Sequence, residues 1–97
     1  MRNYLKTILP NFCKLKSKGM YAIHGGDFQG GMATYIEEES RGETIAFLFM
    51  PPVEVRYIAK SEVIESLKNK TFKLVEVLPD EVYAVIKANF LHESAKL

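Results

Sequence analysis

From Met20 onward the apolar residues fall into short runs of strand character, broken once near residue 61 and replaced beyond residue 80 by spacings of three and four. "MYAIH" at 20–24 is rich in strand formers. "MATYIEEE" sets Met32, Thr34 and Ile36 against Ala33, Tyr35 and Glu37, so the two runs predict antiparallel strands flanking a loop. A second turn is expected at "ESRGE", residues 39–43, where Gly42 takes a positive backbone angle at no steric cost. "TIAFLFM", from Thr44 to Met50, is apolar on both of its faces and predicts a central strand covered on both sides. Pro51 and Pro52 end it, because neither has the N–H a ladder needs, and "VEVRYIA" resumes as a strand with Val53, Val55 and Tyr57 on one side.

Ser61 is a good helix N-cap ahead of "EVIESLKNK", in which Val63, Ile64 and Leu67 form a short apolar stripe, so a helix of about two turns is expected near 61–69. "TFKLVEV", residues 71–77, reads as the last strand. Pro79 and Asp80 then open the clearest helix, 79–93, with Val82, Tyr83, Val85, Ile86 and Phe90 at helical spacing. At the other end "NYLKTILPNF" places Tyr4, Leu5, Ile8 and Leu9 on one helical face that Pro10 terminates. Strands come first and helices are few, so parallel crossover units cannot organise the fold. An α+β domain is expected: an antiparallel sheet of four to five strands, with a C-terminal amphipathic helix and one or two short helices packed on one face or end. A partial barrel is an allowed closure of such a sheet.

A chain of 97 residues fits a single domain, 1–97, with a basic segment over 1–19, sheet over 20–78 and the helix over 79–93. Such a domain buries roughly 60 to 65% of its unfolded surface, enough for one core but little for a deep active site. The net charge of +1 conceals an asymmetry. Five basic residues (Arg2, Lys6, Lys14, Lys16, Lys18) and no acid precede Asp27, and the remainder carries −4. Pro10 and Asn11 interrupt the early apolar stretch and no small-residue cleavage pattern follows, so this start is read as part of the mature protein. Cys13 is the single cysteine, which excludes an internal disulfide and favours a reducing, cytoplasmic setting. The longest apolar run, residues 45–50, is far short of the ~18 residues a membrane-spanning helix needs.

Candidate chemistry concentrates in "HGGDFQGG", residues 24–31, which holds four of the six glycines. The loop residues are His24, Gly25, Gly26, Asp27, Phe28, Gln29, Gly30 and Gly31. Paired glycines and an aspartate serve chain reversal, and they also let a ligand approach the backbone, with Asp27 and Gln29 as polar contacts and Phe28 as an apolar one. Asp27 opposes a phosphate and suits a hydroxyl, an amine or a cation. No lysine and serine or threonine follow the last glycine, so the P-loop pattern fails, as does the dinucleotide pattern, whose glycines open a helix.

"YAIHGGDFQGG" resembles the strand and His-Gly-Gly segment of hormone-sensitive-lipase-like esterases, with His24, Gly25 and Gly26 on the matching positions; that family also needs a G-x-S-x-G nucleophile elbow, which is absent here. "GGDF" is similar to the diguanylate cyclase signature, but Phe28 stands where that signature has a glutamate. Neither resemblance carries a family assignment.

His24 and Asp27 are close enough in sequence to act as an oriented base, although no nucleophile is tied to them by spacing and no catalytic residue is assigned. No ligand pattern links His24, Asp27, His92 and the acids at 37–39, so neither metal nor cofactor is expected. "EEES", with Glu43 nearby, reads as a solvated acidic edge. Lys14, Lys16 and Lys18, and Lys68, Lys70 and Lys73, would have to share a face to follow a phosphate backbone, and the near-neutral total disfavours nucleic acid. The expected function is that of a small soluble protein-interaction or self-associating module, its partner another protein or its own copy in a homodimer, with residues 24–31 at the contact. Phe28, Pro51 and Pro52 are the residues to test. The alternative is a small ligand-binding domain or enzyme using His24 and Asp27.

Overall fold

The computed structural model describes residues 15–96; the expected helix near residues 4–9, Cys13 and Lys14 lie outside the described residues. Five strands form one antiparallel sheet: β1 (Gly19–Ile23), β2 (Met32–Tyr35), β3 (Thr44–Met50), β4 (Glu54–Ala59) and β5 (Phe72–Val77), in the order β4-β3-β2-β1-β5. Helix α1 (Lys60–Lys68) joins β4 to β5, and α2 (Asp80–Ala95) follows β5. The α+β expectation holds, but the sheet stays open. β4 and β5 are its two edges and do not pair with each other, so no barrel closes.

β3 explains the layering. Its run of apolar residues leaves no face to solvent, and each face has its own cover. Ile45, Phe47 and Phe49 point to one side, where they join Tyr21, Ile23, Phe72 and Val63 of α1. Ala46 and Leu48 point to the other, where they join Ile36, Val55, and Tyr83 and Phe90 of α2. The two helices therefore lie on opposite faces, not together on one face or end as the sequence led us to expect. A strand that is apolar on both faces requires this, because one helical layer covers only one side of a sheet.

Several local expectations shift. Ala59, not Ser61, occupies the N-cap of α1, and no side chain caps it; Ser61 sits exposed inside the first turn. The helix starts there because β4 runs straight into it, with the Lys60 N–H bonded to the Glu43 carbonyl. In α2 the buried stripe narrows to Tyr83, Ile86 and Phe90, while Val82 and Val85 face outward. Val53 is exposed in the turn before β4, whereas Val55 is buried and Tyr57 packs its ring edge on Phe90 at 6.0 Å. After β2 the alternation ends at a single 3-10 turn, Glu37–Glu39.

That turn positions α2. Glu38 accepts a hydrogen bond from the Tyr83 hydroxyl at 2.5 Å and lies 3.5 Å from Lys87 Nζ. The acidic run is thus not merely a solvated edge: Glu37 also accepts from Ser17 Oγ at 2.7 Å. Helix α2 begins beside β5, where the Leu78 N–H bonds to the Lys18 carbonyl, and crosses the sheet to end over Tyr57 of β4. Among the described residues no helix is long and apolar enough to cross a membrane.

Candidate functional site

Residues 24–31 connect β1 to β2 as a loop whose second half is tied by its own backbone hydrogen bonds. The Gly30 N–H donates to the Ile23 carbonyl at 3.0 Å, the Gly31 N–H to Phe28 at 2.8 Å, and the Gln29 N–H to Gly26 at 3.3 Å. These three amides are not free to cradle an anion. Positive φ at Gly25, Gly26 and Gly30 accounts for three of the glycines. Gly31 has a different reason: a Cβ there would lie 2.7 Å from the Met50 carbonyl oxygen, so the close passage of the loop over β3 requires glycine.

The loop's side chains diverge. Phe28 is half-buried, its ring 4.4 Å from that of Phe49 with the Arg56 guanidinium 4.9 Å above it, so it closes the end of the α1-side core. His24, Gln29, Gly30 and Gly31 line a shallow groove of about 360 Å³ with Ala22 and Met32. Asp27 is exposed and does not line that groove. The structure thus sets His24 and Gln29 in one groove without Asp27, and no hydrogen bond among the described residues joins His24 to Asp27 to make an oriented base. Pro51 and Pro52 are exposed in the β3–β4 turn, whose Met50–Pro51 and Pro51–Pro52 peptide bonds are cis. The lysine groups do not form one tract. Lys18 pairs with Asp80 at 2.7 Å, Lys16 lies with the N-terminal end of α1, and Lys68 and Lys70 lie at its other end, roughly 13 Å away for nine helical residues. No group of three or more His, Cys, Asp or Glu among the described residues could hold a metal ion.

Sequence reasoning passed over the more open surface, strand β5. It pairs with β1 on one side and with no described strand on the other. Leu74, Val75 and Val77 are 43, 50 and 53% exposed, a dense apolar content for an edge. The His24 N–H donates to the Thr71 carbonyl at 2.7 Å, so the first leg of the glycine loop sits at the start of this edge.

The register of β5 carries a further detail. Lys73 lies opposite Ala22 and Glu76 opposite Met20, with a bulge between them. Alternation along β1 puts Met20 and Ala22 on the same face, so the bulge brings Lys73 and Glu76 to one face although they are three residues apart. The absence of gatekeeping proline in "FKLVEV" was the signal available in the sequence. No protein family, curated protein or solved structure matches this chain.

Proposed function

We propose that the protein is an interaction module that associates with its own copy through the outer edge of β5. The observation that carries this reading is an edge that pairs with no other described strand and bears Leu74, Val75 and Val77 in the open, with Lys73 and Glu76 brought to one face. An antiparallel two-fold pairing of β5 strands sets Lys73 of one copy opposite Glu76 of the other, twice, and continues the sheet across the axis. His24 to Gly26 would flank that contact, which keeps the glycine loop at its rim.

The test is a charge swap. Lys73→Glu or Glu76→Lys alone opposes like charges at both symmetric positions, whereas the double variant K73E/E76K restores attraction. Each single change should weaken the dimer by about 2 kcal/mol, roughly thirtyfold in dissociation constant, and the double variant should recover most of that loss. Sedimentation equilibrium reads this directly. A monomeric mass at every concentration removes self-association, and a dimer indifferent to all three variants moves the contact elsewhere.

A further inference from the structure

A second open feature lies on the α1 face of the sheet, away from the β5 edge. There a groove of about 890 Å³ runs between the N-terminal half of α1, the 40–42 turn and residues 15–17. Its volume falls within the few hundred to ~1,000 Å³ typical of small-molecule sites. Its apolar walls come from Leu15, Ile45, Val63 and Ile64, of which Ile45 and Val63 belong to the core, so its floor is fixed by packing. Three cationic side chains also line it, Lys16, Arg41 and Lys60, and none forms an ion pair with another described residue. The acid among the lining residues, Glu37, already accepts the Ser17 hydroxyl. Tyr35 completes the wall; burial first, then Glu37, holds its phenol above the ordinary 10.0, so its hydroxyl stays a neutral donor.

We infer that this groove binds an organic carboxylate with an apolar body, the tail against Leu15, Ile45, Val63 and Ile64 and the head among Lys16, Arg41 and Lys60. Charge selects this occupant. The sequence before Leu15 carries Arg2, Lys6 and Lys14 with no acid, charges that three cations disfavour. A neutral apolar ligand would leave the cations unused, and a small inorganic anion would leave the apolar wall wet.

Titration of dodecanoate into the full-length protein, followed by methyl and amide NMR shifts, tests the assignment, with dodecan-1-ol as the uncharged control. The expected result is shift changes centred on Tyr35, Ile45, Val63 and Ile64. Dodecanoate should bind at least tenfold more tightly than dodecanol, and a variant carrying Arg41→Gln and Lys60→Gln should lose that preference while keeping its folded spectrum. Binding should also weaken with added salt. Equal affinity for the alcohol, shifts centred instead on Met32 and Met50, or no binding of dodecanoate would overturn the inference. Contacts from Leu5 or Ile8 to Ile45 or Val63 in the free protein would overturn it too, by showing the groove filled by the chain itself. None of these outcomes depends on β5, so this inference and the dimer fail or stand separately.

Discussion

Thr34 shows how one atom can work against its surroundings. It sits on β2 under α2, fully buried, and its Oγ1 has no hydrogen-bond partner among the described residues. A buried hydroxyl without a partner forfeits its hydration for nothing, a loss of about 1–3 kcal/mol, whereas a methyl of similar shape loses nothing. Thr34→Val is therefore expected to stabilise the fold by about 1 kcal/mol, measured as a higher urea midpoint with an unchanged slope. The glycine loop gives the opposite lesson. Its residue types were legible as turn chemistry, and positive φ at Gly25, Gly26 and Gly30 bears that out. The reason for Gly31 was not legible, because it depends on the Met50 carbonyl passing within 2.7 Å of a Cβ position, a contact between residues nineteen apart in sequence.

At the level of elements, four strands were legible to within a residue or two, since runs such as Thr44–Met50 carry strong strand composition, whereas the run read from Met32 through the glutamates stops at Tyr35, where Glu37–Glu39 turn instead. Helix faces were less so. Val82 and Val85 share helical spacing with Tyr83 and Ile86, and spacing alone cannot tell which three-residue arc meets the sheet; the bond from Tyr83 to Glu38 sets that rotation. The β5 edge escaped notice because strand order is a tertiary property: "FKLVEV" reads the same in the middle of a sheet as at its margin. Helix α1 ends with Asn69 at the C-cap and Lys70 at φ 66, a left-handed angle that a side chain with a Cβ adopts at a cost of about 1–2 kcal/mol. Lys70→Gly, which relieves that strain but adds freedom to the unfolded chain, should raise the melting temperature by about 2–6 °C in calorimetry.

For the molecule as a whole, the clasp between Glu38 and α2 makes stability depend on pH at both extremes. The Tyr83 hydroxyl, then the Glu38 backbone amide and Lys87, hold the Glu38 carboxyl below its ordinary 4.5. A carboxyl with a depressed folded value contributes stability above 4.5, and that contribution is lost as pH falls through its folded value. Burial, then Glu38, pushes the Tyr83 phenol well above its ordinary 10.0, so its contribution is complete below pH 10 and is lost as pH rises beyond it. Tyr83→Phe should cost about 1 kcal/mol at neutral pH and flatten both limbs, read as unfolding free energy across a pH series. A variant that keeps the wild-type slopes would assign them to other groups.

The placement of one helix on each side of β3 has a mechanical consequence. Peeling away either helix would wet one flank of the strand on which the other helix rests, so neither roof can lift alone without loosening the wall beneath both. The two apolar compartments are separate in space yet share a fate, and heat should dismantle them together.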